Sequence, residues 1–509
     1  MSQPRHHVRL FVALAILIVT LYAVLTSLNG NAGFPLDDAW IHQVYGRNLA
    51  LTGLFAFVPG VPSAASTAPL YTVLLAVGYW LHVPFYIWTY MLGAVGLAFT
   101  AILAERLTWR LFPEKPQLGL YAGLACVCAW HLVWVSAASM ETILLIALSL
   151  GVIALAWLPK PGPRAGLAMG LLGGVALAMR PEGALVLACA GGFALLAELA
   201  VAKREWRRVI GWSVATAVGF ALALAPYFAL NYSLNKTLFP NTSAAKQAEL
   251  AFVYLWPIWT RIQEVVTPLI AGPQTFLLPG FVYALWLLGK RIRADHTAIR
   301  LVALPVASLA ILLLYAWQLP VPFQHGRYSI PALAPILILG AAGTGLLTAR
   351  RARNVTVRSA YSALRIIVVS GFAVFLVIGI TVYNEDKRLI NTQMVDSARW
   401  ITQHIPLNEL LATHDIGAIG YFAPRPLLDL AGLVSPEIVP IVHDNEAVVR
   451  LMQERGVRWM MVSDFQIVMS LDDKRLCPAY TAEPAPKPIH MIIYRMAWDG
   501  NCAALPPIP

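Results

Sequence analysis

Six short stretches hold the side chains able to do chemistry. FPLDDAW sets Asp37 and Asp38 side by side, SMET carries Glu141, RPEG carries Arg180 and Glu182, and PNTSAAK carries Asn241 and Lys246. QHGRYSIP adds His325, Arg327 and Tyr328, and THDIGAIGYF adds His414 and Asp415. Two adjacent carboxylates repel, so at least one holds its proton more tightly, which suits a general base or a divalent-cation ligand. The plainer alternative is a helix cap. LDDAWIHQVYGRNLALTG reads as an amphipathic interfacial helix whose start an Asp would stabilise. Arg matches phosphate oxygens through paired hydrogen bonds, and His can protonate or hydrogen-bond a phosphate leaving group.

Each remaining stretch also has two readings. Arg180 and Glu182 form either a structural ion pair or substrate ligands, and Glu141 is either a ligand or a carboxylate at the start of a span. Arg327 beside Tyr328 fits phosphate binding or a snorkelling cation on a ring. Lys246 could point toward a phosphate while Asn241 caps a short helix, and His414 with Asp415 marks a strand end or a solvated turn.

These residues have to be positioned by a very apolar chain. Of 509 residues 59% are hydrophobic and 12% charged, about half the charge of a soluble domain. Such a chain must lie in a membrane, and without strand-like alternation it must do so as helices. Spans are expected at 9–28, 86–104, 117–135, 140–158, 165–180, 183–200, 210–230, 265–289, 301–317, 330–348 and 366–383. The first reads as an uncleaved span with a cytoplasmic N-terminus, because no clear cleavage site follows it.

The net charge of +11 collects in alternate linkers, such as the one with Lys203, Arg204, Arg207 and Arg208. The positive-inside rule explains that pattern, and nucleic-acid binding is not expected. The alternation requires 68–84 to be re-entrant or juxtamembrane. The other loops, including 29–68, then face outward and carry five of the six polar stretches, the sixth lying in the C-terminal region. From 384 to 509 short apolar runs alternate with turn residues, predicting a small extracytoplasmic α/β domain after a membrane module of 1–383. Cys477 and Cys502 lie there, in a compartment that allows a disulfide.

Taken in order, DDAWIHQVYGRNLALTGLFAFVPG, SMET, RPEG, PNTSAAK, HGRY and HDIGAIGYF resemble the GT-C superfamily of membrane glycosyltransferases. Within it they look most like the branch of mycobacterial terminal arabinofuranosyltransferases and related bacterial proteins. The resemblance implies a polytopic helical bundle of about 11–13 spans in the cytoplasmic membrane. It implies a polyprenyl-phosphate sugar donor and a glycan, lipid or protein acceptor on the outer face. Asp37 or Asp38 would be the base, with Asp37 favoured and the other carboxylate capping the helix. Arg180, Lys246, His325 and Arg327 would stand on the phosphate side. Some members use a divalent cation at the acidic motif, so Asp37 or Asp38 is also the candidate metal ligand. A lipid-linked saccharide transporter or flippase is the alternative function. It would place ionisable groups in mid-span, whereas here they collect at span ends.

Overall fold

The computed structural model describes all residues except 1–6, 29, 31, 202–204, 241, 351–353, 465, 484–489 and 509. Among the described residues, seven helices are long and apolar enough to cross a membrane. They are Val8–Leu28, Phe85–Leu111, Glu182–Leu199, Trp206–Asn235, His296–Gln318, Phe323–Thr348 and Val355–His404. Two bent pairs qualify together, Gln117–Val127 with Trp130–Ala137 at 53° and Ile258–Ile270 with Pro273–Ala294 at 91°. The sharper bend falls between Pro268 and Pro273, where proline removes helix donors. With the shorter apolar helices Thr142–Ala156 and Pro163–Met179, every span expected from the sequence meets one of these elements. The segment 68–84 holds only the 12-residue helix Pro69–Trp80. At ~1.5 Å per residue it is ~18 Å long, well short of a ~30 Å hydrocarbon core.

The chain forms two compact units. One comprises Met1–Ala23, Thr89–Tyr227 and Val253–Ile380 and holds most of the membrane helices. The other comprises Val24–Trp88, Phe228–Phe252 and Thr381–Pro509, so the first loop segment belongs with the C-terminal region.

The second unit is built around a five-stranded sheet in the order β2–β1–β3–β5–β4. Its strands are β1 Leu411–Thr413, β2 Leu427–Asp429, β3 Trp459–Ser463, β4 Leu476–Thr481 and β5 Met491–Met496. β1 runs parallel to β2 and β3, while β5 is antiparallel to β3 and β4. Every residue of the central β3 is buried, as a strand covered on both faces requires. The helix Asn445–Glu454 begins where the Asp444 side chain accepts from Ala447 N–H at 2.9 Å. Its Val448, Val449 and Met452 join the sheet core with Met460, Val462 and Tyr494.

The helix Asp37–Thr52 differs from the interfacial helix expected. Residues on all sides of it, including Trp40, Gln43, Val44 and Tyr45, are buried. Its Ile41, Val44 and Tyr45 pack with Phe55, Phe57 and Ile416, and Trp40 lies against Tyr421 and Phe422 at 4.9 and 4.7 Å. Aromatic burial of this kind outweighs the mixed polarity of the sequence.

Cys477 on β4 is bonded to Cys502, closing a separation of 25 residues. Loop-closure entropy gives such a link about 3 kcal/mol. Reduction, or a Cys477→Ser Cys502→Ser double variant, should therefore lower the unfolding free energy of this unit by about that amount. Urea titration followed by tryptophan fluorescence measures it.

Candidate active site

The second unit gathers five of the predicted residues: Asp37, Asp38, Lys246, His414 and Asp415. Asp37 opens its helix but does not cap it. The N-cap is Leu36, and no side-chain cap bond forms there. Both Asp37 oxygens instead accept backbone amides from a distant helix, Gly417 N–H at 2.6 Å and Ala418 N–H at 2.8 Å. That helix, Gly417–Phe422, starts just after β1. A Cβ at position 417 would lie 2.0 Å from the Asp37 carbonyl oxygen, so only glycine permits this approach. Asp37 is 9% exposed. Burial first, then the nearby charge of Asp415, outweighs the two amides and pushes its pKa up to about 7.

Asp38 points elsewhere. Its side chain is 27% exposed, and its Oδ2 lies 3.6 Å from Lys246 Nζ. Lys246 sits on the short helix Thr242–Glu249, and Glu249 follows three residues later on the same helical face. Glu249 Oε1 is 3.0 Å from His414 Nε2, and Ala248 O is 2.6 Å from His443 Nε2. The helix that presents Lys246 to Asp38 is thus tethered to the end of β1.

On the other side of His414, Asp415 Oδ1 is 3.6 Å from Nδ1. The Gln466 amide is oriented by Ser463 N–H on its oxygen, so its nitrogen donates to Asp415 Oδ2 at 2.9 Å. That nitrogen is also 2.9 Å from His414 Nδ1, an approach that suits a neutral ring. The carboxylates of Asp415 and Glu249 decide for the charged ring. Burial works against the charge, but those two neighbours hold the His414 pKa well above the ordinary value.

The first unit holds the other cluster. Pro181 forces Arg180 out of the helical region, and Arg180 ends the helix Pro163–Met179 in an extended conformation. Its guanidinium is used on three edges: Nε donates to Glu182 at 2.9 Å, Nη1 to Glu141 at 2.8 Å and Nη2 to the Tyr315 hydroxyl at 2.7 Å. Glu141 and Glu182 are buried. Arg180 therefore neutralises two carboxylates that would otherwise be desolvated alone. Arg327 is also buried and donates from Nη2 to the Tyr328 hydroxyl at 2.9 Å. The Tyr328 ring lies beneath both cations, 5.4 Å from Arg180 Cζ and 4.8 Å from Arg327 Cζ.

His325 sits in a strained turn of this unit. Gln324, His325 and Gly326 have φ of 51°, 61° and 71°, three left-handed residues in a row. Non-glycine residues bear ~1–2 kcal/mol each for that conformation. A Cβ at 326 would come 2.3 Å from Pro268 Cβ. The turn presents the imidazole edge-on to Trp130 and Trp134, at 5.5 and 5.2 Å between ring centres. Strain held at a polar loop residue is a common mark of a functional position.

Asn241 lies outside the described residues. Sequence reasoning misses Glu249, Gln466 and Tyr315. Only Glu249 leaves a signal, the Lys-x-x-Glu spacing that puts it beside Lys246. For the divalent cation the donor set does not fit. Both Asp37 oxygens are occupied by amides and Asp38 faces an ammonium. No group of three or more His, Cys, Asp or Glu among the described residues is placed to hold a metal.

The membrane helices and the small sheet region together make the GT-C fold of membrane glycosyltransferases. Solved structures with this fold include ArnT from Cupriavidus metallidurans in the apo state. It is 15% identical, covers 98% of this chain and 99% of its own, and has a TM-score of 0.61. The same protein bound to undecaprenyl phosphate matches with a TM-score of 0.60 over the same shares at 15% identity. The oligosaccharyltransferase of Archaeoglobus fulgidus, in its apo form, is 11% identical over 90% of this chain and 70% of its own, with a TM-score of 0.62. Residues 384–498 match a family described as a domain of unknown function, DUF8728. No curated protein matches the sequence.

Two outcomes follow from the geometry. Arg180→Ala would leave Glu141 and Glu182 buried without their cation and should destabilise the protein by on the order of 3–5 kcal/mol, measured as a fall in thermal midpoint in detergent. The second concerns pH. An acid whose pKa rises on folding, as Asp37's does to about 7, is folded most favourably while protonated, so its contribution falls as pH rises through that window. His414, with a raised pKa, contributes stability below its unfolded value and loses it as pH rises through the folded one. Both have the same sign. The thermal midpoint should drop from about pH 6 to about pH 8, and Asp37→Asn should flatten the slope. An unchanged slope in that variant would contradict the assignment.

Proposed function

We propose that this chain is an inverting glycosyltransferase of the cytoplasmic membrane. It moves a sugar from a polyprenyl-phosphate carrier to a hydroxyl of a cell-envelope glycan, lipid or protein acceptor on the extracytoplasmic face. The observation that carries the reading is the division of labour in the acidic pair. Asp37 is consumed by the Gly417 and Ala418 amides, whereas Asp38 is partly exposed and opposed to Lys246. A base has to reach its substrate, so Asp38 takes that role and Asp37 becomes its anchor. This reverses the order favoured from sequence.

Asp38 accepts the proton of the acceptor hydroxyl, and the oxygen attacks the anomeric carbon. The bond from that carbon to the phosphate oxygen breaks, and polyprenyl phosphate leaves from the opposite side. Lys246 Nζ, 3.6 Å from Asp38 Oδ2, holds that carboxylate in position. Arg327, with Tyr328 and His325, supplies the residue types that suit the charge developing on the phosphate. Arg180 acts through its ion pairs, by fixing the span ends that carry Glu141 and Glu182. No step is routed through a metal.

Support for the donor class comes from the fold, since the related ArnT structure holds undecaprenyl phosphate. The A. fulgidus oligosaccharyltransferase is likewise solved with a dolichol-phosphate and an inhibitory peptide. The sequence likeness to terminal arabinofuranosyltransferases makes a pentofuranose the first donor to try.

The test is transfer from labelled polyprenyl-phosphate sugar by single variants. Asp38→Asn should lower the rate by roughly 10²–10⁴-fold with little change in thermal midpoint. Asp37→Asn should lower the midpoint and leave more activity per folded molecule. Full activity in Asp38→Asn would overturn the base assignment.

A further inference from the structure

The membrane unit contains a second feature that the proposed reaction does not use. A mostly apolar cavity of about 660 Å³ lies between the helices Gln117–Val127, Leu333–Thr348 and Val355–Ile390. Its lining runs from Lys115, Thr348 and Arg365 to Tyr121, Phe372 and Leu376. Both cations lie at one end. Lys115 belongs to the linker after the helix Phe85–Leu111, and Arg365 donates to the carbonyl of Thr348, the last residue of the helix Leu333–Thr348. Both positions lie next to the basic linkers that the positive-inside rule assigns to the cytoplasm.

The dimensions select an occupant. Arg365 and Leu376 are eleven residues apart on one helix, about 16 Å along its axis. Half of a ~30 Å hydrocarbon core is about 15 Å. The cavity is therefore as deep as one leaflet, apolar along its length and cationic only at its mouth. Such a site complements a lipid whose chain lies along the helices and whose anionic headgroup meets Lys115 and Arg365. Basic pockets between membrane helices on the cytoplasmic side bind anionic headgroups in this way.

We propose that this cavity is a binding site for an anionic diacyl phospholipid of the cytoplasmic leaflet, with Lys115 and Arg365 on its phosphate and one acyl chain along Tyr121, Phe372 and Leu376. The inference stands apart from the glycosyltransferase reading and does not need it.

Native mass spectrometry of the full-length protein released from nanodiscs of phosphatidylglycerol and phosphatidylcholine provides the test. The wild-type protein should retain phosphatidylglycerol in preference to phosphatidylcholine. A Lys115→Gln Arg365→Gln double variant should lose retention by about 30-fold, the equivalent of about 1 kcal/mol for each basic residue at the surface. Ala373→Trp, which fills the apolar part and keeps both cations, should also lose it. Monodisperse elution shows that each variant is folded. Equal retention of the two lipids, retention unchanged in both variants, or displacement of phosphatidylglycerol by equimolar undecaprenyl phosphate would overturn the proposal.

Discussion

The carboxylate of Asp37 and the two backbone amides it receives hold the second unit together. Their sequence separation is 380 residues for Gly417 and 381 for Ala418, and the Asp37 side chain is nearly removed from water. The two amides offset part of the cost of burying this group, which without them would be strongly unfavourable. The pair of bonds fixes where the helix Asp37–Thr52 begins and where the chain turns after β1. Asp38 is then placed by its neighbour, and His414 and Asp415 are placed by the strand end that the same contact locks.

A cluster of carboxylates has to be balanced by cations, and here the balance is uneven. Asp37, Asp38, Asp415 and Glu249 face Lys246 and a protonated His414. The short helix Thr242–Glu249 contributes one charge of each sign, Lys246 to Asp38 and Glu249 to His414. The same helix is also held through Ala248 O, 2.6 Å from His443 Nε2. In the other unit Arg180 solves the same problem by a different arrangement, one guanidinium shared between two buried carboxylates and a tyrosine hydroxyl.

How much of this is legible in the sequence depends on the range of the interaction. Membrane spans are read from local composition, and every expected span has a counterpart. The 91° bend between Ile270 and Pro273 falls inside the span expected at 265–289, which apolar composition alone does not divide. RPEG announces an ion pair at a span end, although not Tyr315, which sits 135 residues from Arg180. The role of Asp37 is invisible because its partners are contributed by a segment hundreds of residues away. Local reasoning favours it as the base and leaves the cap to its neighbour, and the structure uses it to hold another helix. Gln466 carries no signal, since a lone glutamine after a strand resembles any solvated turn. Glu249 could be found from its spacing to Lys246, but only once that segment is known to be helical.

The most direct measurement follows the fate of the lipid carrier. Purified protein is incubated with polyprenyl-phosphate sugars labelled in both sugar and phosphate, with and without envelope acceptors, and the products are resolved by mass spectrometry and by anomeric configuration. The account predicts release of free polyprenyl phosphate only when an acceptor hydroxyl is present, together with a product of inverted configuration. Intact donor moved across a vesicle membrane without cleavage, or a product of retained configuration, would contradict it.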